Sequence, residues 1–167
     1  MNPRAAAALR LAAAALVVAA DQATKAWARS ALAGGAPRDV IPGLFSLTLV
    51  FNEGAAWGMM QGFRYAFMAL AVAMLALLAL RHRQIFGHGP WGAAAAALLS
   101  GGIAGNLIDR AAAGRVTDFL DFHHASWHFP CFNVADSAIC VGVALLFLIS
   151  LGAPSARQHQ PPRISKD

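Results

Sequence analysis

The residues that could do chemistry in this chain begin with two acids. The stretch GRVTDFLDF sets Asp118 and Asp121 three residues apart among Phe119, Leu120 and Phe122, in a chain of 167 residues with only 8 Asp and Glu. Two carboxylates a few ångströms apart do not both ionise readily, so one pKa rises and the other falls. Such a pair keeps an acid and a base together at neutral pH, as needed to take a proton from water and give one to a carbonyl oxygen. In a helix Asp118 and Asp121 share a face; in a strand they point to opposite faces. Val116, Thr117, Phe119 and Phe122 favour extended structure. On that reading the acids are separated, and whichever faces the interior must find a carboxylate elsewhere. Asp136, in FNVADSAIC across a short loop, is the natural candidate. An acid at a helix start is also an ordinary cap, so Asp136 alone does not decide the matter.

The other ionisable and amide groups fall into short clusters: Asp21 with Lys25, Asn52-Glu53-Gly54, Asn106 with Asp109 and Arg110, and Asn133 with Asp136. Asp21 and Lys25 stand at i and i+4 and can neutralise one another. Asn106 and Arg110 share the same spacing, so they project from one helix face, either as a helix-end clamp or as a holder for a carboxylate or an extended substrate backbone. In GGIAGNLIDR, Gly101 and Gly105 form a GxxxG surface for close helix approach. Other hydrolytic plans fit less well. There is no HExxH spacing, and His123, His124 and His128 read as interfacial histidines rather than a metal site. Ser100 lacks a G-x-S-x-G setting and reads as a packing serine. Cys131 and Cys140 form no CxxC and read as free thiols. No metal or other cofactor is expected.

The elements that must position these groups are apolar. The chain is 58% hydrophobic and 13% charged, with a mean hydropathy of +0.54, where a soluble domain carries about a quarter charged residues. The expectation is an all-α polytopic membrane protein in a single domain, with four transmembrane helices at about 8–27, 63–80, 91–108 and 135–151. Trp27, Tyr65, Trp91 and Trp127 lie near the segment ends, as interfacial aromatics do. The net charge of +5 makes no stripe of the kind nucleic acid requires, so no nucleic-acid partner is expected. The basic residues flank apolar segments, where topology places them. The first segment has a competing reading as a cleavable export signal, but Asp21 and Lys25 continue its helical spacing.

Four spans put both termini on one side, shared with Arg4 and the Arg81-His82-Arg83 loop. All five polar clusters then lie on the other face, read as outside the cytoplasm. DVIPGLFSLTLVFN, around Pro42-Gly43, predicts a short strand or hairpin on that outer surface. The stretch GAAWGMMQG, with Trp57, could form a loop over the site or simply pack at the interface. Residues 153–167 are polar and Pro-containing and read as a disordered tail.

In this order DQATKAW, FNEGAAWG, GGIAGNLIDR, VTDFLDF and FPCFNVADSAICVG closely resemble one family, the bacterial lipoprotein signal peptidases, or signal peptidase II. The resemblance implies a multi-pass aspartic endopeptidase of the bacterial inner membrane, with cytoplasmic termini and a site near the periplasmic face. Its substrates would be diacylglyceryl-modified prolipoproteins, cut before the lipidated cysteine, with membrane lipids as its other partners and a monomeric state. It further implies catalytic roles for Asp118 and Asp136, and supporting or substrate-contacting roles for Asp21, Lys25, Asn52, Gly54, Asn106, Arg110 and Asn133. Asp121 carries no catalytic role. The rival classes are a small membrane transporter or ion-binding protein using the same aspartates, and an assembly subunit using the glycine faces.

Overall fold

The computed structural model describes residues 2–54, 59–60 and 62–152. The expectations for Trp57 and for the tail at 153–167 fall outside these residues. In chain order the elements are α1 (Pro3–Ala31), β1 (Arg38–Ile41), β2 (Phe45–Asn52), α2 (Arg64–Leu80), α3 (His82–Phe86), α4 (Pro90–Ala113), β3 (Val116–His124), β4 (Trp127–His128) and α5 (Val134–Gly152).

Local chemistry sets the helix ends. The Asn2 side chain accepts the Arg4 N–H at 2.9 Å, and Pro3 follows at the first helical position, where its missing N–H costs nothing. α4 likewise opens on Pro90 and closes at Gly114, which takes φ +78° while its N–H bonds Arg110 O at 3.1 Å. That cap carries α4 one turn beyond the expected end at 108. α1, α4 and α5 are long and apolar enough to cross a membrane, whereas α2 has 17 residues, about 26 Å of helix.

The stretch read as an Arg81-His82-Arg83 loop instead opens α3. Phe86, at 2% exposure, packs with Leu78, Ala95, Ala96 and Leu99, and this burial folds the connection into a helical turn against α4. Gly92 permits the contact, since a Cβ there would lie 1.8 Å from Phe86 O.

The interior is lined by small residues while many large apolar ones face outward, among them Leu11 at 72% and Leu80 at 83% exposure. This inverts the soluble pattern and suits a hydrocarbon solvent. Gly101 and Gly105 do serve close packing. A Cβ at Gly101 would sit 2.6 Å from Val17 Cβ of α1, and one at Gly105 would sit 2.5 Å from Asp21 Oδ2.

The expected hairpin is present. Pro42 and Gly43 form its turn, with Gly43 at φ +76° and the Leu44 N–H on Ile41 O at 3.0 Å, the pattern of a type II turn. β3 and β4 extend the hairpin into a four-stranded antiparallel sheet of order β1-β2-β3-β4. Val116–His124 is extended, as expected, but its alternation is broken. The N–H groups of both Phe119 and Leu120 bond Phe132 O, at 3.0 and 2.9 Å, which marks a β-bulge. Phe119 and Leu120 both join the apolar cluster on Ala28 and Leu32.

Candidate active site

That bulge corrects the separation of the two acids. With Phe119 and Leu120 both turned to the apolar cluster, Asp118 and Asp121 line one open cleft of about 440 Å³, together with Asn52, Glu53, His128 and Cys131. Their surroundings still differ. Asp121 accepts from Thr48 Oγ1 at 3.2 Å and from His128 Nδ1 at 3.0 Å. The His128 side chain is 56% exposed, so this pair contributes at most about 1 kcal/mol.

Asp118 is 2% exposed and held by amides. Asn133 Nδ2 donates to its Oδ1 at 2.7 Å, and Asn52 Nδ2 donates to its Oδ2 at 3.1 Å. Asn52 is itself oriented by the Gly54 N–H, which donates to Asn52 Oδ1 at 3.0 Å. Burial, and next the charge of Asp136, push the Asp118 carboxyl up to about 6, against the amide bonds and the Lys25 cation.

Asp136 is both a cap and a member of this cluster. Asn133 Oδ1 accepts the Asp136 N–H at 2.9 Å while Asp136 Oδ2 accepts the Asn133 N–H at 3.2 Å. That reciprocal pair is a capping box on α5, with aspartate at the position glutamate usually fills. The other oxygen, Oδ1, accepts from Asn106 Nδ2 at 2.7 Å. Asn133 Nδ2 also donates to Asn106 Oδ1 at 3.1 Å. One fully buried amide, Asn133, therefore contacts Asp118, Asp136 and Asn106.

Behind the two aspartates lies an ionic hub. Lys25, fully buried, places Nζ 2.9 Å from Asp21 Oδ2, 3.2 Å from Asp109 Oδ2 and 2.9 Å from Asn106 Oδ1. Each of those carboxylates fixes the residue just before one of the paired acids. Asp21 Oδ1 accepts the Ala135 N–H at 2.9 Å, and Asp109 Oδ2 accepts the Thr117 N–H at 3.0 Å. A buried charge without partners is costly, so Lys25 secures both backbone anchors at once.

Arg110 and Asn106 do leave α4 towards the same region, but to different ends. Arg110 Nη2 donates to Gly54 O at 3.2 Å and its guanidinium lies 5.2 Å from the Phe67 ring centroid. Thus Asp118, Asp136, Asp21, Lys25, Asn52, Gly54, Asn106, Arg110 and Asn133 form one connected network. Asp109 and Gln22 were not assigned to the site from sequence, although both stand inside the quoted motifs. Gln22 Nε2 reaches Asp21 Oδ2, Gly105 O and Asp109 Oδ1, each at 3.1 Å. Their spacing was the available signal: Asp109 lies three residues after Asn106, on the same helix face.

Cys131 and Cys140 are free. Burial, then the charges of Asp118 and Asp121, push the Cys131 thiol up to about 12, so it stays protonated and unreactive. Among the described residues no group of three or more His, Cys, Asp or Glu is arranged to hold a metal ion.

The family profile described as signal peptidase (SPase) II matches residues 13–152. This chain belongs to the signal peptidase II family. The lipoprotein signal peptidase of Symbiobacterium thermophilum is 44% identical over 133 residues, covering 80% of this chain and 88% of the relative. That of Burkholderia thailandensis is 45% identical over 136 residues, covering 78% and 80%. A solved structure described as a bacterial membrane enzyme, obtained by the in meso method at 2.3 Å, superposes with a TM-score of 0.80 at 30% identity, covering 93% of this chain and 95% of the other. A second of the same description, at 1.9 Å, gives a TM-score of 0.76 at 32% identity, covering 86% and 93%. The five helices and small antiparallel sheet of the described residues are thus a membrane-enzyme fold, and the chain is a signal-peptide-removing peptidase of the aspartic class.

Proposed function

We propose that Asp118 and Asp136 are the catalytic pair of this peptidase, acting on diacylglyceryl-modified prolipoproteins just before the lipidated cysteine. The observation that carries the assignment is the Asn133 amide held between them, with both acids linked to the Lys25 hub. Burial and the neighbouring Asp136 charge push the Asp118 carboxyl up to about 6, and on this ground Asp118 is assigned as the acid and Asp136 as the base of the singly protonated pair. Asp136 accepts a proton from water as the oxygen attacks the scissile carbonyl carbon, and Asp118 donates its proton to the carbonyl oxygen. Collapse of the tetrahedral intermediate breaks the C–N bond as Asp136 passes its proton to the departing amine and a hydroxyl of the intermediate returns one to Asp118. Asn52, Asn106 and Asn133 hold the carboxylates, Arg110 and Gly54 face the substrate backbone, and Asp21 and Lys25 position both acid-bearing segments.

The proposed setting is the bacterial inner membrane, with four spans formed by α1, α2, α4 and α5, both termini cytoplasmic, and the sheet on the periplasmic surface. A monomer suffices, since one chain supplies every group named, and no cofactor enters the reaction. Exposed Phe51 and Phe129 at the cleft fit a substrate arriving from lipid. The transporter and assembly-subunit alternatives are not favoured by the family assignment.

The test is cleavage of a lipidated precursor by purified protein. Asp118→Asn and Asp136→Asn should each reduce turnover by at least about a thousandfold while leaving melting in detergent cooperative. Asp121→Asn should retain cleavage within about tenfold, because its ion-pair partner His128 is exposed and its other contact is the Thr48 hydroxyl. Substantial turnover by either of the first two variants would end the assignment.

A further inference from the structure

At the end of the molecule away from the aspartates, two grooves run between the helices. One, of about 650 Å³, is lined by Leu11 and Ala14 of α1, Leu75 and Leu78 of α2, and Ala96 and Ala97 of α4. The other, of about 690 Å³, runs along Ala6, Leu9 and Ala13 of α1 to Pro90 and Ala93 of α4. Arg10, His82 and Arg83 are the residues common to both. We propose that these grooves hold one anionic glycerophospholipid, its phosphate against Arg10 and Arg83 and its acyl chains lying along the two apolar walls.

Charge supplies the first argument. Arg10 is half-buried in α1, and among the described residues no ion pair involves Arg10, Arg81 or Arg83. Asp21, the first acid after Arg10, lies eleven residues on, about 16 Å along the helix. The remaining acids of the described chain lie on the sheet, in the segments joining it, or at the helix ends that meet it. Burial, together with the Arg10, Arg83 and His88 charges, holds the His82 imidazole below its ordinary range. His82 therefore adds a hydrogen-bond donor at neutral pH, and the net demand of the junction is for an anion. Cationic side chains beside a bilayer each attract acidic lipid by about a kcal/mol.

Shape supplies the second. Both grooves fall within the about 300–1,000 Å³ usual for ligand sites. They share the cationic residues Arg10 and Arg83 and are otherwise walled mainly by apolar side chains, which matches one headgroup with two chains. Other occupants meet the wrong charge. The segment at 153–167 carries Arg157, Arg163 and Lys166 against one acid, Asp167. The n-region of a signal peptide is also positive. The proposal stands independently of the peptidase assignment, since it uses none of the same residues.

Native mass spectrometry of the full chain in detergent tests it, with phosphatidylglycerol and phosphatidylcholine of identical chains. Phosphatidylglycerol should be retained preferentially. Arg83→Gln or Arg10→Gln should weaken it about fivefold, and the double variant about twenty-five-fold. Arg38→Gln, on the exposed β1 strand, removes the same charge elsewhere and should leave retention unchanged. Glycerol 3-phosphate, which lacks the chains, should not displace the lipid. Equal retention of the two lipids, undiminished retention by the double variant, or displacement by glycerol 3-phosphate would each overturn the proposal. If Arg10→Gln fails to melt cooperatively, exposed Arg83→Gln alone decides it.

Discussion

Asp118 shows how much of this chemistry a single side chain can carry. Its carboxyl titrates near 6, where the ordinary value is 3.8. Because kcat/KM reports ionisations of the free enzyme, it is expected to fall as pH rises above about 6, when Asp118 loses its proton and both acids ionise. Bound substrate excludes water and disfavours the charged form further, so the corresponding limb in kcat should lie at higher pH. A kcat/KM that climbs through pH 6 would reverse the acid and base roles. Stability has its own sign. Between about pH 4 and 6 the folded chain holds a proton that the unfolded chain does not, so acidification from pH 7.5 to 5 should stabilise the wild type over Asp118→Asn by about 1 kcal/mol, read as melting in detergent. At this scale the sequence was partly legible. β-branched and aromatic residues announced an extended strand, but period two then placed Asp121 on the opposite face. The bulge that returns it to the cleft depends on Phe132 O, a partner that the local pattern at 116–122 does not reveal.

Elements matter here as carriers of single N–H groups. α1 delivers Asp21 to the Ala135 N–H, and α4 delivers Asp109 to the Thr117 N–H. α1 and α4 approach this closely because Gly101 and Gly105 have no Cβ. The helices, the hairpin and the GxxxG face were all readable from composition and spacing. The pairing of Lys25 was only half readable, since the i,i+4 partner Asp21 is local whereas Asp109 lies 84 residues away on another helix. Lys25→Met should therefore destabilise the fold by about 3–5 kcal/mol, leaving two buried carboxylates without their cation. Adding Asp109→Asn removes one of those charges and should recover part of the loss. Thermal melting of the single and double variants in detergent measures both. If Lys25→Met melts like the wild type, the hub is not what secures the two acid-bearing segments.

Across the whole molecule, the acids gather towards one end and most unpaired cations lie at the other, and the division bears on orientation. Asp21 lies in the second half of α1, and every other described acid sits in the sheet, in the segments joining it, or in the helix ends that meet it, while Arg4, Arg10, Arg81 and Arg83 lie at the other end. Lys and Arg are retained on the cytoplasmic side during insertion, whereas acids contribute little to that choice. Lys25, Arg29, Arg38, Arg64, Arg110 and Arg115 stand at the sheet end and weaken a bare count. All but Arg38 are engaged: Lys25 pairs with Asp21 and Asp109, Arg29 donates to Thr117 Oγ1, Arg64 to Ala111 O and Arg110 to Gly54 O, and Arg115 lies 3.8 Å from the Phe51 ring centroid. The orientation proposed above is supported by where most of the cations without a partner among the described residues lie, Arg4, Arg10 and Arg83 at one end against Arg38 at the other. It has a direct readout in a Cys131→Ala, Cys140→Ala background. A cysteine at exposed Gly34, between α1 and β1, should react with a membrane-impermeant maleimide in spheroplasts, whose outer membrane has been removed. A cysteine at exposed Gln84, in α3, should react only after lysis. The reverse pattern would put the aspartates on the cytoplasmic side and overturn the proposed orientation. Labelling of both positions before lysis would mean that α2 does not cross, and with it the four-span reading would fall.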